Sequence, residues 1–232
     1  MLLMTDFIFF SLDNAHEASG MVVVIDVLRA FTTAAYAFNV GAEKILPVAG
    51  VEEALDLKRQ IPGSLIMGEI DGIKPPEFDF GNSPAYIKTR DLSERIMIQR
   101  TSAGTQGIVR SKKHDQLFAA SFVVAKATAE TIQRHRPDVV SFIITGESIG
   151  RDGDEDRACG EYIQALVYDQ RVDHTAFTQR VSGSSAGRSF LNGSNIIGSE
   201  KDLELSLQVN IFPFALPVFQ EDSLLIMRCD KL

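Results

Sequence analysis

The chain has only two cysteines, Cys159 and Cys229, and no tryptophan in 232 residues. Two thiols cannot make a multi-disulfide framework, and neither has a partner at CxxC spacing, so a cysteine-based zinc site is excluded. The four histidines, His16, His114, His135 and His174, form no HxH or HxxxH pair, which removes a histidine-based zinc site too. Basic charge is scarce: 23 Lys and Arg face 31 Asp and Glu, a formal net charge of -8. A field of that sign repels nucleic-acid backbones and anionic membranes, so neither is an expected partner. No run approaches the roughly 20 apolar residues of a membrane span. Residues 1–12 are apolar but carry Asp6 and lack a basic n-region and a small-residue cleavage site. A reduced, cytoplasmic protein is the expectation. A Walker loop ending in Gly-Lys-Ser/Thr and a GxSxG elbow are both missing. The EF-hand pattern fails as well, because position six counted from Asp152 is Arg157 rather than glycine.

What is present is ordinary globular material, 45% hydrophobic and 23% charged. Apolar runs and helical periods alternate along it. Residues 7–12 are a short aromatic-rich run. Residues 21–27 (MVVVIDV) are β-branched and nearly all apolar, the mark of a strand buried on both faces. Residues 29–40 carry Phe31, Ala34, Ala35 and Phe38 at helical spacing, with Gly41 as the stop. Further strands are predicted at 44–48, 65–67, 95–99, 116–120, 138–145 and 224–228. Helices are predicted at 51–60, 103–110, 123–135 and 155–168, and polar helices broken by Ser/Gly turns over 170–204. The alternation predicts an α/β fold: a mostly parallel or mixed sheet with helices on both faces. A single domain over 1–232, with a lobe boundary near 112–122, is expected.

Ligands of open parallel sheets settle at strand carboxyl ends, beside helix N-termini, and four stretches fall there. In IDVLRAFTT, Asp26 ends a buried strand and is a candidate metal ligand, nucleophile or base; Arg29 offers a planar fork to phosphate or sulfonate. Thr32 and Thr33 lie in the next first turn. The alternative is an Asp26–Arg29 ion pair with Thr32 helping to cap the helix. The aperiodic segment 68–84 (GEIDGIKPPEFDFGNSP) holds Glu69 as a hard-cation ligand and Lys74 as a point charge for phosphate. Its Asn82 and Ser83 suit a helix cap or an anion. In QRTSAGTQG, Thr101, Ser102, Gly104 and Thr105 are small, donor-rich residues that let backbone approach an oxyanion. In GRDGDEDRACGEY, Glu155 and Asp156 open a helix, as metal ligands or as caps, and Cys159 reads as a small buried residue.

Three motifs from the first two of these stretches, 23–30 with Thr32-Thr33, Gly68-Glu69 with Gly72 and Lys74, and 78–84 (FDFGNSP), resemble the 2-phosphosulfolactate phosphatase family. The resemblance extends to Gly41-Ala42-Glu43-Lys44-Ile45, to Glu155-Asp156 with Ala158-Cys159-Gly160, and to the Asp202 helix leading to Pro217. It implies an α/β fold particular to that family. The implied activity is magnesium-dependent removal of phosphate from 2-phospho-3-sulfolactate, giving 3-sulfolactate, a step towards coenzyme M. On this reading Asp26 and Glu69, with Glu155 or Asp156, hold Mg²⁺, Arg29 acts beside them, and a small anionic phosphorylated substrate is the partner. A homodimer is the expected assembly.

One motif departs. Where the family reads Thr-Thr-Asn-Gly-Thr, this chain has Thr101-Ser102-Ala103-Gly104-Thr105 after Gln99-Arg100. The asparagine's donor and acceptor are absent, and Arg100 adds positive charge nearby. Two alternatives therefore stand beside the first reading: a phosphatase for another small phosphorylated acid, and a non-catalytic protein that holds a phosphorylated or sulfonated metabolite.

Overall fold

Strands and helices alternate along the chain as its apolar pattern predicts. The computed structural model describes residues 5–148, 151–168, 171–191 and 198–231; residues 1–4, Gly150, Gln170 and 192–197, on which parts of the sequence readings fall, lie outside the described residues. The first half contains β1 (Asp6–Ser11), β2 (Ser19–Ile25), α1 (Ala30–Asn39), β3 (Lys44–Pro47), α2 (Val51–Gln60), β4 (Leu65–Gly68), α3 (Pro84–Ile87), β5 (Ile96–Arg100) and α4 (Gly104–Arg110). Then follow β6 (Lys113–Ala120), α5 (Ala125–His135), β7 (Val139–Ile144), β8 (Glu147–Ser148), β9 (Arg151–Asp152) and α6 (Asp154–Val167). Helices α7 (Thr175–Gly183), α8 (Ser185–Leu191) and α9 (Glu200–Ser206) precede β10 (Phe214–Glu221), β11 (Leu224–Met227) and β12 (Asp230–Lys231). The 112–122 segment carries β6, paired with β2 on one side and β10 on the other.

The main sheet runs β1-β7-β2-β6-β10-β11-β3-β5-β4, with β12 beside β10. Parallel pairs join β1, β7, β2 and β6 in one block and β3, β5 and β4 in a second. Three antiparallel steps through β10 and β11 separate them, so the second block runs opposite to the first. Neighbouring strands twist by about 20–25°. Over the five steps from β2 to β5 that twist accumulates and turns one block relative to the other.

Helix α1 lies between the blocks. One hydrophobic cluster joins Val22 and Val24 of β2, Phe31, Ala34 and Phe38 of α1, and Ile45, Met67 and Met97 of β3, β4 and β5. Every residue from Ala30 to Phe38 is buried, which explains a helix that is apolar nearly all round and rich in small alanines. The alternate residues of β2, Val23 and Ile25, face Ala129 and Ile132 of α5 and Cys159 and Ile163 of α6. A third cluster places Ala54 and Leu57 of α2 against Leu46, Ile66 and Ile98 on the outer face of the second block. Helices thus cover both faces. Wrapping the sheet around α1 brings the carboxyl ends of β2, β4 and β5 to one place, although the blocks run oppositely. Among the described residues, no helix is long and apolar enough to cross a membrane.

Candidate active site

The site begins where β2 stops. Asp26, only 6% exposed, accepts the Ala30 amide at 2.8 Å on Oδ1, folding its carboxylate over the start of α1. The Thr32 hydroxyl donates to the Val27 carbonyl at 2.8 Å and fixes the intervening turn. Gly104, at the start of α4, meets Asp26 from the other side. A Cβ there would stand 2.7 Å from Asp26 Oδ2 and 2.6 Å from Ala30 Cβ. The oxyanion that this glycine lets the backbone approach is therefore Asp26 itself. Burial raises the Asp26 pKa to about 6, helped by the Glu69 and Glu155 carboxylates and opposed by the Ala30 amide and Thr145 hydroxyl.

Arg29 precedes α1, and its ion pair is with Asp202 rather than Asp26: Nη1 lies 3.1 Å from Asp202 Oδ2, with the side chains 6% and 3% exposed. The guanidinium also sits over the Phe190 ring, 5.2 Å from its centroid. Burial lowers the Arg29 pKa against the pull of Asp202. Asp202 works against burial too, yet its pKa is lowered by hydrogen bonds from Ser83, Ser199 and Ala85 and by Arg29. The Ser83 hydroxyl donates to Asp202 Oδ1 at 2.6 Å and the Ala85 amide at 3.0 Å. Sequence reasoning gave Asp202 no role; its sequence signal is the Ser199–Asp202 capping box.

Glu69 follows β4. Gly68 has φ +143°, and a Cβ there would collide with the Arg100 carbonyl, so only glycine lets the chain pass. The Glu69 carboxylate accepts the Ser102 amide at 2.7 Å on Oε1 and the Gly72 amide at 2.6 Å on Oε2. Arg100 holds the same residue from behind, donating from Nη1 to the Glu69 carbonyl at 2.9 Å. At the start of α6, Asp156 Oδ1 accepts the Val27 amide at 2.7 Å, and Oδ2 accepts the Gly146 amide at 2.7 Å and the Thr145 hydroxyl at 3.2 Å. It clasps the ends of β2 and β7 together. Burial, Glu155 and Asp26 push its pKa well up. Glu155, raised by burial, keeps Oε2 buried without a hydrogen-bond partner.

A cavity of about 430 Å³ unites these groups: Asp26, Arg29, Glu69, Asn82, Ser102, Glu155 and Asp156 all line it. Leu28, Asp71, Ala103, Arg151 and Phe190 are also on its wall. Other predicted site residues lie elsewhere. Thr32 and Thr33 are buried in α1, and Thr101 and Thr105 bond to each other at the start of α4. Lys74 is turned to the Phe78 and Pro75 carbonyls, and Ser83 to Asp202. Arg100 backs Glu69, and Gly104 backs Asp26. Arg151 was not singled out by sequence reasoning.

Among the described residues, no three acidic, histidine or cysteine side chains make a ready-built metal group. Mg²⁺ does not need one, since it binds through one or two carboxylates plus water and phosphate oxygens. An orphaned buried Glu155 oxygen beside the mutually repelling Asp26 and Glu69 fits such an ion.

A family model described as 2-phosphosulpholactate phosphatase matches residues 9–222. A Carboxydothermus hydrogenoformans protein named probable 2-phosphosulfolactate phosphatase is 33% identical over 232 residues, covering 95% of this chain and 94% of its own. Proteins of the same name from Bacillus subtilis, 32% identical over 78% of this chain and 79% of theirs, and from Thermoplasma acidophilum, 33% identical over 82% and 84%, also match.

Proposed function

The chain belongs to the 2-phosphosulfolactate phosphatase family, and from that premise we propose that it hydrolyses 2-phospho-3-sulfolactate to 3-sulfolactate and inorganic phosphate. The observation that carries the reading is the convergence of Asp26 and Arg29 from one segment and Glu69 from a distant one on one cavity.

Each residue has a part. Arg29, held by Asp202 and backed by Phe190, binds the phosphoryl oxygens and takes up charge as the phosphorus–oxygen bond breaks. Asp26, ionised at neutral pH, accepts a hydrogen bond from the attacking water and orients it towards phosphorus. Asn82, which lines the cavity, offers its Nδ2 amide to the substrate. Asp26 and Glu69, with Glu155 through water, would hold Mg²⁺, which supplies Lewis-acid neutralisation of phosphoryl and alkoxide oxygens when bound. Asp156, bonded to the Val27 and Gly146 amides, keeps the two strand ends in place. Leu28 and Phe190 supply the apolar part of the wall.

Assay of a panel of phosphate esters with Mg²⁺ tests the proposal. Phosphate release from 2-phospho-3-sulfolactate well above esters without sulfonate is expected. Release only from other phosphorylated acids would move the substrate, consistent with Ala103 standing on the wall where the family has asparagine. Release from none would favour a metabolite-holding protein.

A further inference from the structure

The cavity is rich in negative charge. Asp26, Glu69, Asp71, Glu155 and Asp156 line it, against two guanidinium groups, Arg29 and Arg151. The positive charges that sequence reasoning offered to an anion, Lys74 and Arg100, are absent from the wall. The charge of Arg29 is matched by the buried Asp202. Arg151 differs: it is exposed and makes no ion pair within 4 Å among the described residues, its charge acting on Glu155 only at longer range.

Arg151 is held in place without being neutralised. It lies on β9, paired with Ser148 of β8, and its Nε donates to the Ser148 hydroxyl at 3.2 Å. That bond uses one of five donors and leaves the terminal fork. The hairpin is itself anchored. The Leu12 amide donates to the Glu147 carbonyl at 3.1 Å, and Arg157 bonds the Glu147 carboxylate at 2.7 Å. A guanidinium on a tethered strand, exposed and on the wall of an acidic pocket, suits a planar or tripodal oxyanion bidentately.

We propose that Arg151 is a specificity-determining residue that binds the second anionic group of the substrate, its sulfonate or carboxylate, while Arg29 takes the phosphate. The inference rests on the phosphatase reading and names what that reading leaves open: how the site selects a polyanion. Without such a contact the carboxylates not covered by Mg²⁺, Asp71 among them, would repel the distal anion and favour simple phosphate esters.

The test compares wild type with Arg151→Gln and Arg151→Lys on three esters in Mg²⁺: 2-phospho-3-sulfolactate, 2-phospholactate and isopropyl phosphate. A charge-assisted hydrogen bond of about 1.5–3 kcal/mol corresponds to a loss of roughly 10- to 150-fold. Arg151→Gln is expected to lose that much in kcat/KM on 2-phospho-3-sulfolactate and less than about threefold on isopropyl phosphate. Arg151→Lys should fall between. A matching loss on 2-phospholactate identifies the carboxylate as the partner, and its absence identifies the sulfonate. Equal losses on all three esters, or none on any, overturn the proposal. Calorimetric titration of 3-sulfolactate onto wild type and Arg151→Gln needs no turnover. Weaker binding by the variant supports Arg151 even if wild type hydrolyses nothing, and equal binding refutes it.

Discussion

Arg29 Nη1 lies 3.1 Å from Asp202 Oδ2, joining two almost fully buried side chains that are 173 positions apart in sequence. Asp202 also accepts from Ser83, Ala85 and Ser199, so one carboxylate ties α9 and the start of α3 to the arginine of the cavity.

Breaking that pair leaves a charge stranded in the interior. Asp202→Ala is expected to lose about 3–5 kcal/mol of stability by urea denaturation, with turnover lost as Arg29 is released. The double variant Arg29→Met/Asp202→Leu should regain much of the stability, because apolar side chains replace a buried pair well, but none of the activity.

Asp26 has a pH signature. Its folded pKa of about 6 lies above the ordinary 3.8, so between those values the folded state holds more protons than the unfolded chain. Stability from this group is present below about pH 4 and is lost as pH rises through about 6. Asp26→Asn, neutral throughout, should therefore match wild type near pH 4 and exceed it above pH 6, by on the order of 2 to 3 kcal/mol. Thermal melts across that range check the sign, while phosphate release should vanish.

Strand β2, Asp26 and the first turn of α1 were legible in the sequence because the signal is local: an unbroken β-branched run, then an acid, then helical spacing. The partner of Arg29 was not. An ion pair to a residue 173 positions away leaves no periodicity, and the nearer Asp26 was the obvious alternative. Strand β10, to which the pattern assigned no element, carries Pro217, which lacks the ladder donor and argues against an inner strand. Missing β10 also hid the reversal between the two blocks, since alternating strands and helices imply one parallel sheet. Lys74 and Arg100 illustrate a different limit. Charge and loop position identify a cation, but whether it faces a ligand or a carbonyl depends on packing.

Magnesium should compete with protons for the carboxylates. Adding Mg²⁺ is expected to raise Tm above pH 6, by RT ln(1 + [Mg²⁺]/Kd), and to do little below pH 5. Glu155→Gln should reduce the shift, as should Asp26→Asn. Calorimetric melts with and without the ion measure it.

Gly104 sets the position of Asp26 by being small. Gly104→Ala forces its Cβ against Ala30 and the Asp26 carboxylate, at an expected loss of about 1–3 kcal/mol together with most of the turnover. Gly50→Ala, where a Cβ meets nothing within 4 Å, is the control and should leave activity unchanged.

The most direct test of convergence is a double-variant cycle of phosphate release from 2-phospho-3-sulfolactate, with wild type, Asp26→Asn, Glu69→Gln and both together. If the two acids serve one catalytic unit, each single variant loses about a thousandfold or more and the double variant is no slower than the slower single. Losses that multiply, or either single variant turning over at the wild-type rate, would contradict it.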